Sequence, residues 1–192
     1  MEMAETIQLV SKIMRGFPAS WAVAGGWAID LFLKKQTRQH ADLEVALFRD
    51  DQALLHQQLP RWAFFKVDSG QLIEWLSADR LSLPIHEIHG RSTHGPPLSL
   101  EFLLNVRSGQ DWAFRRDTRV TLPMDRAILV AAGGVPVLSP PVVLLYKAKG
   151  LRQRDWSDFH AARESLSPQD LQWLRQALSR CHPGHPWLPL MA

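Results

Sequence analysis

Gly25-Gly26 stands directly after the apolar run Trp21-Ala22-Val23-Ala24 and directly before Trp27-Ala28-Ile29-Asp30-Leu31-Phe32-Leu33. The acids Asp42 and Glu44 follow a short polar connection. A buried strand that stops at two glycines and gives way to a helix lets the backbone come close to a ligand, because glycine adopts dihedrals that other residues avoid. Helix-terminal amides add unpaired donors for an anion, so the turn is a candidate phosphate cradle. Asp42 and Glu44 alternate with Leu43 and Val45, the period of a strand, which places both carboxylates on one face. Two acids side by side raise a pKa unless a cation lies between them. Mg²⁺ takes oxygen ligands and bridges carboxylates to substrate phosphates. A phosphate cradle beside such a pair suits metal-assisted nucleotidyl transfer.

These residues need elements to hold them. Ile7, Val10, Ile13 and Met14 share one face and predict an amphipathic helix over 4–15. Residues 21–24 read as a strand, 27–33 as a helix, 42–48 as the acidic strand and 50–59 as a helix capped by Asp50 or Asp51. Strand-like segments follow at about 62–67, 71–76, 84–89 and 98–105, the last two parted by Gly95-Pro96-Pro97. Segments 127–131 and 135–138 flank Gly133-Gly134 as a hairpin. Pro140-Pro141 opens a helix near 141–150, and helices near 156–165 and 168–180 follow. The prolines of His182-Pro183-Gly184-His185-Pro186 exclude regular structure there. Strands dominate first and helices last, which predicts an α+β fold: a core over 1–139 and a C-terminal helical region over 140–192.

Composition narrows the classes. The chain has 192 residues, enough for a sizeable core, and no apolar run of membrane-spanning length. Its start, Met1-Glu2-Met3-Ala4-Glu5, lacks the pattern of a signal peptide, and its one cysteine, Cys181, excludes an internal disulfide. A cytoplasmic protein is the simplest reading. The formal charge of +3 does not call for a nucleic-acid partner, but it is compatible with a pocket for polyphosphate. Most of the eight tryptophans are expected in the core, with some free to line a pocket.

Gly25-Gly26-Trp27-Ala28-Ile29-Asp30, followed by Thr37-Arg38-Gln39-His40-Ala41-Asp42-Leu43-Glu44, resembles the signature of the aminoglycoside 2''-nucleotidyltransferases, an antibiotic-resistance type within the DNA polymerase β-like superfamily. The strong resemblance covers about residues 21–48. It runs on more weakly through Trp112-Ala113-Phe114-Arg115-Arg116-Asp117 and Leu144-Leu145-Tyr146-Lys147-Ala148-Lys149 to the proline-rich tail. It implies a mixed sheet with flanking helices, a nucleoside triphosphate donor such as ATP, Mg²⁺, and two metal-binding acids on one strand with a third on a neighbour. Asp42 and Glu44 take the first two places. Glu44 departs from the aspartate of the aminoglycoside enzymes. Glu101 takes the third, as metal ligand or general base, because an acid within Leu100-Glu101-Phe102-Leu103-Leu104 needs compensation; Glu87 is the competing candidate. The resemblance further implies that a lysine after the sheet meets the triphosphate, and Lys147 is chosen over Lys149.

Other groups have plainer readings beside their functional ones. Arg38 and His40 either touch phosphate or acceptor, or brace the turn before the acids. Asp30 is read as structural, either capping or pairing locally with Arg38. Arg115-Arg116 either meets an anionic acceptor or is a surface pair. Asp155 and Asp158 suit helical salt bridges. His86 and His89 fall on opposite faces of a strand, which argues against zinc. The acceptor is a small molecule, aminoglycoside-like by resemblance. A protein or RNA acceptor, or an inactive nucleotide-binding regulator, stands as the alternative.

Overall fold

The computed structural model describes residues 2–191. Along the chain come α1 (Met3–Ile13), β1 (Trp21–Val23), α2 (Gly25–Leu33), β2 (Glu44–Phe48), α3 (Leu54–Gln58), β3 (Trp62–Asp68), β4 (Gln71–Glu74), β5 (Glu87–Ser92) and β6 (Ser99–Ser108). Then follow β7 (Asp111–Phe114), β8 (Asp117–Leu122), α4 (Met124–Ala127), β9 (Ile128–Val130), β10 (Pro136–Leu138), α5 (Pro140–Lys147), α6 (Gln153–Arg163) and α7 (Pro168–Cys181). The sheet runs β4-β3-β5-β6-β2-β1-β10-β9, with a β7–β8 hairpin joined to the far end of β6. β2 pairs with β6, and β1 with β10, in parallel; the remaining pairs are antiparallel. This is the mixed α+β architecture expected from the sequence.

β2 lies at the centre, and its Val45 to Phe48 are all buried. A continuous apolar run of this kind marks a strand covered on both faces. Pro140 to Leu145 of α5 are buried as well, and α2 and α6 pack beside α5. Trp27, Trp75, Trp112 and Trp187 are fully buried. No tryptophan lines the main cleft, so these rings serve the core and not a ligand. Among the described residues, no helix is long and apolar enough to cross a membrane.

The structure corrects several boundaries. β2 starts at Glu44, so Asp42 precedes the strand. The ladder towards β6 still reaches Leu43, whose carbonyl accepts from the Glu101 amide at 3.1 Å. On the other side β1 ends at Val23 and α2 turns away, leaving Asp42 no second neighbour. The helix expected over 50–59 is a single tight turn at Arg49–Asp51 followed by the short α3. β5 begins at Glu87, beyond Pro84, which has no amide to give a ladder. The β7–β8 hairpin was not expected. Its two turn residues are Arg115 and Arg116, which carry none of the usual turn signals.

Candidate active site

The carboxylates converge because of register. Glu44 on β2 sits opposite Glu101 on β6, and His89 on β5 sits opposite Glu101 from the other side. Directly paired residues share a face. Glu87 lies two residues from His89 and therefore joins them. Glu87, His89 and Glu101 offer ligand atoms within 4.8 Å of one another. His89 Nε2 is 2.8 Å from Glu87 Oε1 and 3.9 Å from Glu101 Oε1. Both rivals for the third acid thus face one cleft of about 450 Å³, together with Gly25, Gly26, Arg38, His40, Asp42 and Glu44. Sequence reasoning weighed His89 only against His86; its spacing from Glu87 was the available signal, but its partner Glu101 depends on the β5–β6 register.

Crowding shows in the ionisation of these acids. Burial, then the charges of Asp42, Glu44 and Glu87, push Glu101 up to about 7. Burial also raises Glu44; Lys147 opposes this while Asp42 and Glu87 reinforce it. A gathering of hard oxygen donors that resist ionising together fits a divalent cation such as Mg²⁺.

The glycine turn accommodates protein groups. Gly25 has φ +61°, and a Cβ there would overlap the Glu44 carboxylate. A Cβ on Gly26 would collide with the side chains of Arg38 and His40. Both glycines line the cleft, and the Ala24 amide donates to the Glu44 carbonyl at 2.8 Å.

The segment between α2 and β2 is braced from two sides. Buried Asp30 accepts from the Thr37 amide at 3.1 Å and the Thr37 hydroxyl at 2.6 Å. Its other oxygen lies 2.5 Å from His40 Nε2. Arg38, one candidate partner for Asp30, instead makes two bonds to Asp158 of α6, at 2.8 and 2.9 Å. Lys147 Nζ is 2.8 Å from Asp158 and 3.6 Å from Asp155, and Arg152 donates to Asp155. Asp155 and Asp158 are fully buried. Burial pushes both up, but their bonds to Arg152, Arg38 and Lys147 outweigh it and hold them below the usual carboxylate range. Arg38 and Lys147 therefore line the cleft while anchored from behind.

The far part of the cleft is built on Tyr146. Its hydroxyl donates to Asn105 Oδ1 at 3.1 Å, and Trp112 Nε1 donates to the same oxygen at 2.9 Å. Burial raises the phenol to about 12. The guanidiniums of Arg115 and Arg116 each lie 5.6 Å from the centre of its ring.

A family model described as aminoglycoside-2''-adenylyltransferase matches residues 6–161. The chain belongs to that family. It is accordingly a nucleotidyltransferase. Among solved structures, that of ANT(2'')-Ia in complex with adenylyl-2''-tobramycin has a TM-score of 0.61 and 15% identity, with 92% of this chain and 98% of the other covered. The solution structure of the antibiotic-resistance factor ANT(2'')-Ia gives 0.53 and 14%, covering 93% and 90%. An antigenic nucleotidyltransferase-like protein from Paracoccidioides brasiliensis gives 0.53 and 17%, covering 99% and 91%. These likenesses establish the shared fold. No curated protein matches the chain.

Proposed function

We propose that this member of the aminoglycoside-2''-adenylyltransferase family transfers AMP from ATP to a hydroxyl of a small-molecule acceptor. The observation that carries the reading is the in-register pairing of Glu44 with Glu101 in the cleft that Asp42 and Gly25-Gly26 also line. Asp42 and Glu44 would hold Mg²⁺, which neutralises triphosphate charge when bound. Lys147 and Arg38, held by Asp158, would present fixed positive charge to the phosphates. Positioning and electrostatic stabilisation supply most of the catalysis in phosphoryl chemistry.

Glu101 is the better base. Burial is the leading cause of its raised pKa, and a carboxylate raised in this way suits proton abstraction near neutral pH. The acceptor oxygen forms its bond to the α-phosphorus, the bond to pyrophosphate breaks, and the hydroxyl proton passes to Glu101. Residues 1–139 would supply the acids, and 140–192 would supply Lys147 and brace it and Arg38 through Asp155 and Asp158. The adenylyl-2''-tobramycin in the related structure makes an amino sugar a natural first acceptor to test.

The test is calorimetric titration with ATP, with and without Mg²⁺, followed by a pyrophosphate-release screen over acceptors. Mg²⁺ should tighten ATP binding, and Asp42→Asn should weaken that dependence. Equal ATP affinity with and without Mg²⁺ counts against the site.

A further inference from the structure

Charge is unevenly distributed along the cleft. Around Glu44, the cations Arg38, Lys147 and Arg152 each pair with Asp155 or Asp158, while Arg154 alone has no ion pair among the described residues. Around Tyr146 the pattern reverses. Arg115 and Arg116 line the cleft, and among the described residues neither has a carboxylate within ion-pairing distance. Arg116 makes one long bond, 3.3 Å, to the Tyr146 carbonyl. Behind them lies Arg49, whose Nε and one terminal nitrogen are buried without a partner. Burial lowers the Arg115 pKa, and the charges of Arg116 and Arg49 lower it further, while Tyr146 and Glu87 oppose the shift.

Like charges do not gather on a half-buried wall without a compensating group. Aromatic rings and a backbone carbonyl, not carboxylates, hold these side chains: both guanidiniums lie over Tyr146, and Arg116 also lies over Phe114 and bonds the Tyr146 carbonyl. A cleft of about 450 Å³ is of small-molecule size. Along β6, Glu101 precedes Asn105, which bonds Tyr146, and Glu44, opposite Glu101, lies against Gly25, so the two acids stand between this end and the glycines.

We propose that Arg115 and Arg116 bind an anionic group of the acceptor, a phosphate or carboxylate, so that the acceptor is an acidic sugar-like molecule. The assignment rests on the nucleotidyl-transfer reading and names the acceptor class for the same cleft. Guanidinium forks recognise both anions through paired N–H donors.

The experiment uses the full chain with Mg²⁺ and α,β-methylene-ATP, a donor that cannot transfer. Glucose, glucose 6-phosphate, glucuronate, tobramycin and a short oligoribonucleotide are titrated by calorimetry into wild type, Arg115→Gln, Arg116→Gln and the double variant. At least one acidic sugar should bind roughly tenfold or more tightly than glucose, as expected for a hydrogen bond to a charged group. Comparing glucose 6-phosphate with glucuronate tells phosphate from carboxylate. The double variant should lose that gain and keep its donor affinity, which also shows that it folds. Three results overturn the proposal: no gain for either acidic sugar, tighter binding of tobramycin or of the oligoribonucleotide, or a tenfold loss of donor affinity in the double variant. If wild type does not bind the donor at all, the transfer reading itself fails, which is a separate outcome.

Discussion

Replacing Gly25 with alanine tests the geometry of the acidic strand directly. Gly25 sits at φ +61°, where an L side chain costs roughly 1–2 kcal/mol. The added Cβ would also overlap the Glu44 carboxylate. Moving that side chain adds roughly 1–3 kcal/mol, the usual penalty of overpacking. Gly25→Ala should therefore destabilise the protein by roughly 2–5 kcal/mol in urea unfolding. The two parts separate in a double-mutant cycle with Glu44→Ala. Truncating Glu44 removes the obstacle but not the backbone strain, so Gly25→Ala in that background should cost only about 1–2 kcal/mol. The coupling between the two changes should fall at roughly 1–3 kcal/mol. Equal penalties in both backgrounds, within about 0.5 kcal/mol, would refute the idea that Gly25 is glycine to make room for the carboxylate.

In metal-free protein, Glu101 is raised to about 7, so between its unfolded pKa and 7 the native state binds more protons than the unfolded one. Stability should then fall as pH rises through that window, by about 2 kcal/mol after allowing for solvent screening, and Glu101→Gln should flatten the slope in urea unfolding at pH 5 and 8. Asp158→Asn breaks the buried anchor of Arg38 and Lys147 and should cost roughly 2–4 kcal/mol at neutral pH. Because the folded pKa of Asp158 is depressed, the contribution is complete above the unfolded value, and the two proteins should converge as pH falls through the folded one. A loss under about 0.5 kcal/mol at neutral pH, within ordinary surface-substitution effects, speaks against the anchor. Asp30→Ala removes the acceptor for Thr37 and the partner of His40; amide exchange at Thr37 should quicken, and unchanged protection disproves that brace.

The acids were legible because they belong to short-range patterns. Asp42-Leu43-Glu44 alternates within three residues, and Leu100-Glu101-Phe102 sets an acid in an apolar run. What joins them is the parallel register of β2 with β6, which no local period encodes. The Arg38–Asp158 pair spans most of the chain, so sequence distance favoured Asp30 as the partner. His89 was judged on its spacing to His86, yet its neighbours are carboxylates from its own strand and the next. The β7–β8 hairpin escaped notice because Arg115-Arg116 replaces the expected glycine, asparagine or proline at its turn. The hairpin beyond Gly133-Gly134 carried that signal, and β9 and β10 do pair across it.

The place of that hairpin has an evolutionary consequence. β7 and β8 hang from the last residues of β6, outside the run of strands that sets Glu44 against Glu101. Their tip reaches the cleft through two side chains on a turn. Exchanging those two residues, or lengthening the turn, leaves the pairing of β2 with β6 untouched. Loops of this kind tolerate substitution and insertion far better than the elements they connect. If Arg115 and Arg116 hold the acceptor as proposed, a lineage can drift from one substrate to another at the hairpin while the acids stay fixed, and a library confined to positions 115 and 116 is the smallest one that explores that drift.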